Sequence, residues 1–256
     1  MKKFLFVDLD DTLFQTLKKC QGGNGNDLRA VAFLKDGAPI SYMSDQQRAM
    51  FEMLMREMTL IPTTARNRDA LSRVDLAFTS YAIIDYGGVI LQANGEPDPL
   101  WLGRTQQQSA AAHSGLQHAC SLMDEYARTS GMQGRARLVE DYAIPFYALI
   151  KDPEGDVDKL AHIDATVLQP WVAGAGQDFY IHRNGNNLAV LPKTLNKAHA
   201  VAYLQQQLRS EWGRIISLGM GDSRSDASFL RLCDYAILPH ASQLGDVLDH
   251  IAQEAA

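Results

Sequence analysis

Phe4-Leu5-Phe6-Val7-Asp8-Leu9-Asp10-Asp11-Thr12-Leu13 decides how the chain is read, because a run of four apolar residues ends on three carboxylates and a hydroxyl. Four consecutive apolar residues fit a strand buried on both faces of a parallel sheet, where an amphipathic strand would alternate. In open α/β sheets ligands gather beyond the carboxyl ends of the strands, so these acidic residues stand where chemistry collects. Asp8 and Asp10 are two apart and share one side of an extended chain, unless the bend after the strand re-aims Asp10. Carboxylates this close repel unless a cation or a proton lies between them. The same residues also read as a strand followed by an acidic turn, and the stretch alone does not choose.

The 256 residues leave room for one large α/β domain, or for a core with a smaller inserted domain. With 46% apolar and 21% charged residues the composition is that of a soluble globular protein able to bury a core. A net charge of -6 argues against nucleic acid as the main partner, while allowing a local positive pocket. Cys20, Cys120 and Cys233 are odd in number, far apart and without CxxC pairing, so they read as reduced thiols of a cytoplasmic protein. Lys2 and Lys3 mimic the start of a signal peptide, but Asp8 halts the apolar run. No segment is long enough to span a membrane.

Outward from this strand, residues 21–26 are polar and glycine-rich, lack the Lys-Ser/Thr ending of a P-loop, and read as a connector. Asp36-Gly37 predicts a hairpin between residues 31–35 and 38–42. Ser44 opens a helix whose inner face carries Phe51, Leu54, Met55 and Met58. A second strand over 59–63 ends on Thr63-Thr64-Ala65-Arg66 ahead of a helix over 67–74. A hydroxyl and a guanidinium there suit a phosphate oxygen, and equally a capped helix N-terminus. A third apolar strand over 81–84 meets Asp85-Tyr86-Gly87-Gly88, where Gly87 permits a tight turn or close approach of a ligand.

Residues 92–190 change character and read as a small α+β unit, an inserted cap. A helix over 106–129 lines up Leu116, Cys120, Met123 and Ala127, and a strand over 142–150 is interrupted by Pro145, as at an edge or a bulge. A second helix over 156–168 stops before Pro170, and a hairpin turns at Asn184-Gly185-Asn186-Asn187. His182 and Arg183 beside that turn either face a pocket or end a solvated hairpin. Trp101, Trp171 and Trp212 stack on a sugar in one reading and pack a core or domain junction in the other.

The core resumes where Asn196 caps a helix with Val201, Leu204 and Leu208 on its inner face. Lys197 then sits at the positive end of the helix dipole, a place for lysine when an anion shares the site, which favours it over Lys193 as a ligand. A fourth buried strand over 214–220 runs into Gly221-Asp222-Ser223-Arg224-Ser225-Asp226, and a fifth covers 235–238. A closing helix turns Leu244, Val247, Leu248 and Ile251 inward. Parallel topology gathers the carboxylates, the hydroxyl and the lysine at one sheet edge. Magnesium takes oxygen ligands, usually one or two carboxylates with substrate phosphate and water.

Asp8-Leu9-Asp10-Asp11-Thr12, Thr64 with Ala65-Arg66, Lys197, and Gly221-Asp222 with Asp226 resemble, in order and context, the four motifs of the haloacid dehalogenase superfamily of phosphohydrolases. The resemblance covers roughly residues 1–91 and 191–256. It implies a Rossmann-like, doubly wound parallel α/β core over 1–91 and 191–256, with an α+β cap over 92–190. A large insertion after the third core strand is similar to the class with an α/β (C2-type) cap, which includes sucrose-phosphate, mannosyl-3-phosphoglycerate and Cof-type sugar phosphatases. The chain departs from those relatives at Asp11, where glycine is usual, and at Ser225, where many carry asparagine.

The resemblance implies a cytoplasmic, Mg²⁺-dependent phosphatase for a small phosphorylated metabolite, a sugar phosphate, working as a monomer or homodimer without nucleic acid or membrane. Asp8 would be the nucleophile and Asp10 the acid and base. Thr64 and Lys197 would clamp the phosphoryl oxygens. Asp8, the Asp10 carbonyl, Asp222 and Asp226 would hold magnesium, and Arg66, Gly87 and Arg183 would meet the substrate. Arg66 either reaches the substrate or anchors its loop. The alternatives are a phosphomutase with the same aspartyl-phosphate and a non-catalytic phospholigand-binding protein.

Overall fold

The computed structural model describes residues 1–20 and 27–254, so the connector read over 21–26 lies outside the described residues. In chain order the elements begin with β1 (Lys2–Val7), β2 (Gln15–Thr16), β3 (Leu28–Phe33), β4 (Pro39–Ser44), α1 (Asp45–Glu57), β5 (Thr59–Pro62) and α2 (Arg68–Leu71). There follow β6 (Ala82–Ile84), β7 (Val89–Leu91), α3 (Pro99–Ser130), β8 (Arg137–Asp141), β9 (Ile144–Ile150), α4 (Val157–Ile163) and α5 (Gln169–Ala173). The chain closes with β10 (Phe179–Asn184), β11 (Asn187–Pro192), α6 (Lys197–Trp212), β12 (Ile215–Met220), α7 (Ala227–Leu230), β13 (Tyr235–Ile237) and α8 (Gln243–Glu254). They fall into two compact units, Met1–Trp101 with Asn196–Ala256, and Leu102–Leu195.

The first unit is built on the parallel sheet β13-β12-β1-β5, with β1 inside it. The apolar run of β1 feeds two cores. Phe4 and Phe6 pack with Ile61, Val201, Leu204 and Phe229, while Leu5 and Val7 pack with Leu13, Val31, Phe51 and Leu54. Each such side chain stabilises the fold by about 1.5–3 kcal/mol when fully buried. Beyond β5, a parallel bridge from Thr63 to Ile83 carries the sheet on to β6, which folds back antiparallel onto β7. The hairpin at Asp36-Gly37 joins β3 and β4, with Gly37 at φ +84°. Ser44 and Gln47 cap α1 reciprocally, each side chain satisfying the other residue's backbone N–H.

Three local readings change. On α1, Phe51 and Leu54 are buried but Met55 is 39% exposed, so the inward stripe is narrower than its apolar letters. The helix after Arg66 is one turn, capped by Asn67, and ends at Leu71, short of residue 74. On α8, Leu244 reaches the core while Leu248 and Ile251 are 52% and 54% exposed, because the helix meets the core chiefly through its first turn.

The second unit has one antiparallel sheet, β10-β11-β9-β8. Leu116, Ala119, Met123 and Ala127 of α3 and Leu160 and Ile163 of α4 share a core with Ala148, Ile150, Leu188 and Val190 of the strands. Pro145 lies in an inner strand, not an edge, and is accommodated by a register shift between Val139 and Glu140 of β8. The hairpin that makes β8 turns on Tyr142 and Ala143, both at positive φ, with no glycine to announce it. Nor does Pro170 stop the second helix. A π turn over Asp164–Leu168 relaxes the ladder, and Pro170 enters the first turn of α5, where a missing N–H is tolerated.

Candidate active site

The end of β1 is tied down before any side chain acts. The Asp8 N–H donates to the Met220 carbonyl at 2.8 Å, prolonging the β1–β12 register by one residue. The Leu9 carbonyl then receives the N–H groups of Thr12, Leu13 and Phe14, winding residues 9–14 into a tight loop. Asp11 takes φ +63°, a left-handed conformation that glycine adopts without cost and aspartate tolerates better than most residues. Lys19 holds its carboxylate in an ion pair.

Into this end come four buried charged side chains. The Lys197 ammonium, at the first residue of α6, lies 2.7 Å from Asp8 Oδ1 and 2.7 Å from Asp226 Oδ1. Asp226 Oδ2 accepts from the Ser223 hydroxyl at 2.6 Å and the Ser223 N–H at 3.1 Å, and Ser225 Oγ lies 2.7 Å from Ser223 Oγ. Ser225 thus supports Asp226 through a second hydroxyl. The Thr12 hydroxyl donates to Asp222 Oδ1 at 3.2 Å and lies 3.4 Å from Asp8 Oδ2. Asp8, Asp222 and Asp226 bring one oxygen each within 4.8 Å of one another. Gly221 makes this possible, because a Cβ there would stand 2.7 Å from the Asp226 Cβ.

Three carboxylates around one ammonium leave excess negative charge, which fits a divalent cation. Burial would lower Lys197, but Asp226 and Asp8 outweigh it and hold the ammonium above its usual range. Burial pushes the Asp8 carboxyl well up despite the pull of Lys197. Asp226 is depressed, since Lys197 and the Ser223 bonds overcome its burial. Burial, then Asp226 and Asp11, push Asp222 up to about 6.

Asp10 is turned elsewhere. The Arg66 guanidinium takes its carboxylate in a fork, Nε to Oδ2 and Nη2 to Oδ1, both at 2.8 Å. Arg66 also donates to the Ala70 carbonyl and lies over the Phe14 ring. The bend after β1 therefore re-aims Asp10, and its carboxylate stands outside the cluster of three. Thr64 is buried, with its N–H on the Ile83 carbonyl and its hydroxyl accepting from the Arg66 N–H.

Gly87 is explained by packing. At φ +97°, it passes so close to Asn196 that a Cβ would stand 2.6 Å from that carbonyl oxygen, and its own carbonyl accepts from the buried Trp101 indole. Trp101 is thus a core residue, and Trp212 lies exposed beneath Lys2. Arg183, on β10 of the second unit, has the Asp164 carboxylate 3.9 Å away. A separate cleft of about 670 Å³ in the first unit is lined by Tyr81, Asp98, Tyr203, Gln207 and Glu211 among others, with no cationic side chain to receive a phosphate. Sequence reasoning missed Ser223 as a partner of Asp226; its position beside Asp222 was the available signal.

A parallel sheet with carboxylates, a lysine and a hydroxyl at its carboxyl edge, interrupted by an α+β unit, defines a haloacid dehalogenase-type fold. Solved haloacid dehalogenase-like structures share this fold. Residues 160–247 match the family described as sucrose-6F-phosphate phosphohydrolase. The C-terminal domain of C. albicans trehalose-6-phosphate phosphatase is 13% identical, with a TM-score of 0.58 over 100% of this chain and 78% of that one. Synechocystis sucrose-phosphatase, solved with sucrose and phosphate, is 18% identical over 99% of this chain and 98% of its own, with a TM-score of 0.50. A haloacid dehalogenase-like hydrolase from Bacteroides thetaiotaomicron is 13% identical, with a TM-score of 0.50 and complete coverage of both chains. No curated protein sequence matches the chain.

Proposed function

We propose that the protein is a magnesium-dependent phosphatase that hydrolyses a small sugar phosphate through an aspartyl-phosphate on Asp8. The observation that carries this reading is the buried Lys197 bridging Asp8 and Asp226 beside Asp222. Asp8, the Asp10 carbonyl and Asp222 would hold the metal, with Asp226 in support. Magnesium bound there supplies charge neutralisation to the phosphoryl group.

Asp8 attacks phosphorus as the bond to the leaving oxygen breaks, and Asp10 gives that oxygen a proton. Asp10 then takes a proton from the water that attacks the aspartyl-phosphate, releasing inorganic phosphate and restoring Asp8. Thr64 and Lys197 bind phosphoryl oxygens, where charge develops in a loose transition state. The second unit acts as the cap, with Arg183 as its contact to the sugar. The sugar phosphate class draws support from the family match over 160–247. No helix among the described residues is long and apolar enough to cross a membrane, and three free cysteines fit a cytoplasmic setting.

The test is inorganic phosphate release from hexose, pentose, disaccharide and nucleotide monoesters, with and without Mg²⁺, for wild type and Asp8→Asn. The expected result is magnesium-dependent release that falls by about 10⁴-fold or more in the variant. Release that survives Asp8→Asn overturns the nucleophile. Transfer to a second hydroxyl without free phosphate would mark a mutase, and a magnesium-dependent thermal shift with phosphate but no turnover a binding protein.

A further inference from the structure

The fork between Arg66 and Asp10 has no place in the steps above. Its two bonds match both carboxylate oxygens, the guanidinium is largely sheltered at 15% exposure, and the Asp10 carboxylate is 42% exposed. Arg66 is itself fixed by the Ala70 carbonyl and the Phe14 ring, and Phe14 belongs to the buried core. A planar fork fixes a carboxylate's orientation as well as its charge, which a lysine at the same place would not do. Arg66 is therefore braced from behind and offers Asp10 one orientation, while the exposed side of Asp10 stays open.

We infer that Arg66 is a positioning residue for Asp10 and not a contact to the sugar phosphate. This inference rests on the phosphatase reading. Proton transfer to a leaving group depends on placement within hydrogen-bond reach, so loosening Asp10 reduces turnover and leaves substrate binding intact. The dependence is selective by leaving group. An alkyl phosphate needs a proton on its departing oxygen, whereas p-nitrophenolate departs without one. For either substrate, the second step still needs Asp10 to take a proton from water as its oxygen attacks the aspartyl-phosphate.

The experiment compares wild type, Arg66→Ala, Arg66→Lys, Asp10→Asn and the Arg66→Ala/Asp10→Asn pair on p-nitrophenyl phosphate and on an alkyl sugar phosphate, with Mg²⁺. Steady-state and stopped-flow phases are both read. Thermal melts show whether each variant folds, and the lysine variant keeps the charge and serves in place of an alanine variant that fails to fold. For Arg66→Ala the expected results are a kcat loss of about 10²-fold on the alkyl substrate with KM within about twofold. On p-nitrophenyl phosphate it should give a burst of about one nitrophenolate per enzyme, because the first step outruns the second. Arg66→Lys should lie nearer alanine than wild type, and the double variant should lose no more than Asp10→Asn alone.

A KM rise of tenfold or more at unchanged kcat, or losses that multiply in the double variant, overturns the positioning role and returns Arg66 to the substrate. Wild-type protein inactive on every monoester, including p-nitrophenyl phosphate, overturns the phosphatase reading and this inference with it.

Discussion

Two charged groups meet the loop after β1, and they sit in different surroundings. Lys197 with Asp8 and Asp226 is buried, each member below a tenth exposed, and bonded to another ion, to the Ser223 hydroxyl or to the Ser223 N–H. Arg66 with Asp10 is half open to water on its acidic side. A buried ion pair is strongly coupled, so removal of one member leaves its partners charged in a poor solvent. An exposed pair is screened, and its loss is tolerated. The same strand end thus carries one set of charges that the fold depends on and one whose worth lies in orientation.

The largest break in this contrast is Lys197→Met. It should cost about 3–5 kcal/mol in urea unfolding without magnesium, because three carboxylates lose the buried cation among them. Much of that loss should return as pH falls, since protonated Asp8 and Asp222 no longer need one. A variant as stable as wild type at neutral pH would remove the distinction.

Magnesium affinity provides the next test. Asp222 is pushed up to about 6, so a cation competes with a proton there below that pH. A raised carboxylate takes up its proton at a higher pH than an ordinary one, so the cation loses its ligand as pH falls. Affinity read by calorimetry should weaken as pH falls through about 6, by about tenfold per pH unit from Asp222 and more steeply where Asp8 also takes up a proton. A level affinity down to pH 4 would mean that Asp222 is not a ligand.

Thr12→Val keeps the shape and removes the hydroxyl that donates to Asp222. A loss of about 1 kcal/mol in the apo protein is expected, together with a magnesium titration whose pH midpoint moves upward, because that bond favours the ionised acid. The smallest stability effect belongs to Arg66→Ala, at most about 1 kcal/mol by thermal unfolding. A loss as large as that of Lys197→Met would place both groups in one buried network and erase the comparison.

By itself the sequence determined the elements whose signals lie within a few residues. Residues 4–7 are apolar on both faces, as fits a strand covered from two sides. Asp36-Gly37 sets a hairpin, Ser44 with Gln47 a helix start, and Asn196 a cap that puts Lys197 at the first turn of α6. The candidate residues Asp8, Asp222, Asp226 and Lys197 were legible for the same reason, as polar residues where an apolar strand ends or a helix begins. Only the tertiary structure decided what those residues touch. Asp10 meets Arg66 across 56 residues and Asp8 meets Lys197 across 189, distances over which no periodicity speaks. Pro145 inside a sheet, Pro170 inside a helix and the exposed turns of α8 belong to the same class. Local propensity acts through a residue's own backbone, whereas a side chain's partner depends on which strands become neighbours and on what burial then requires.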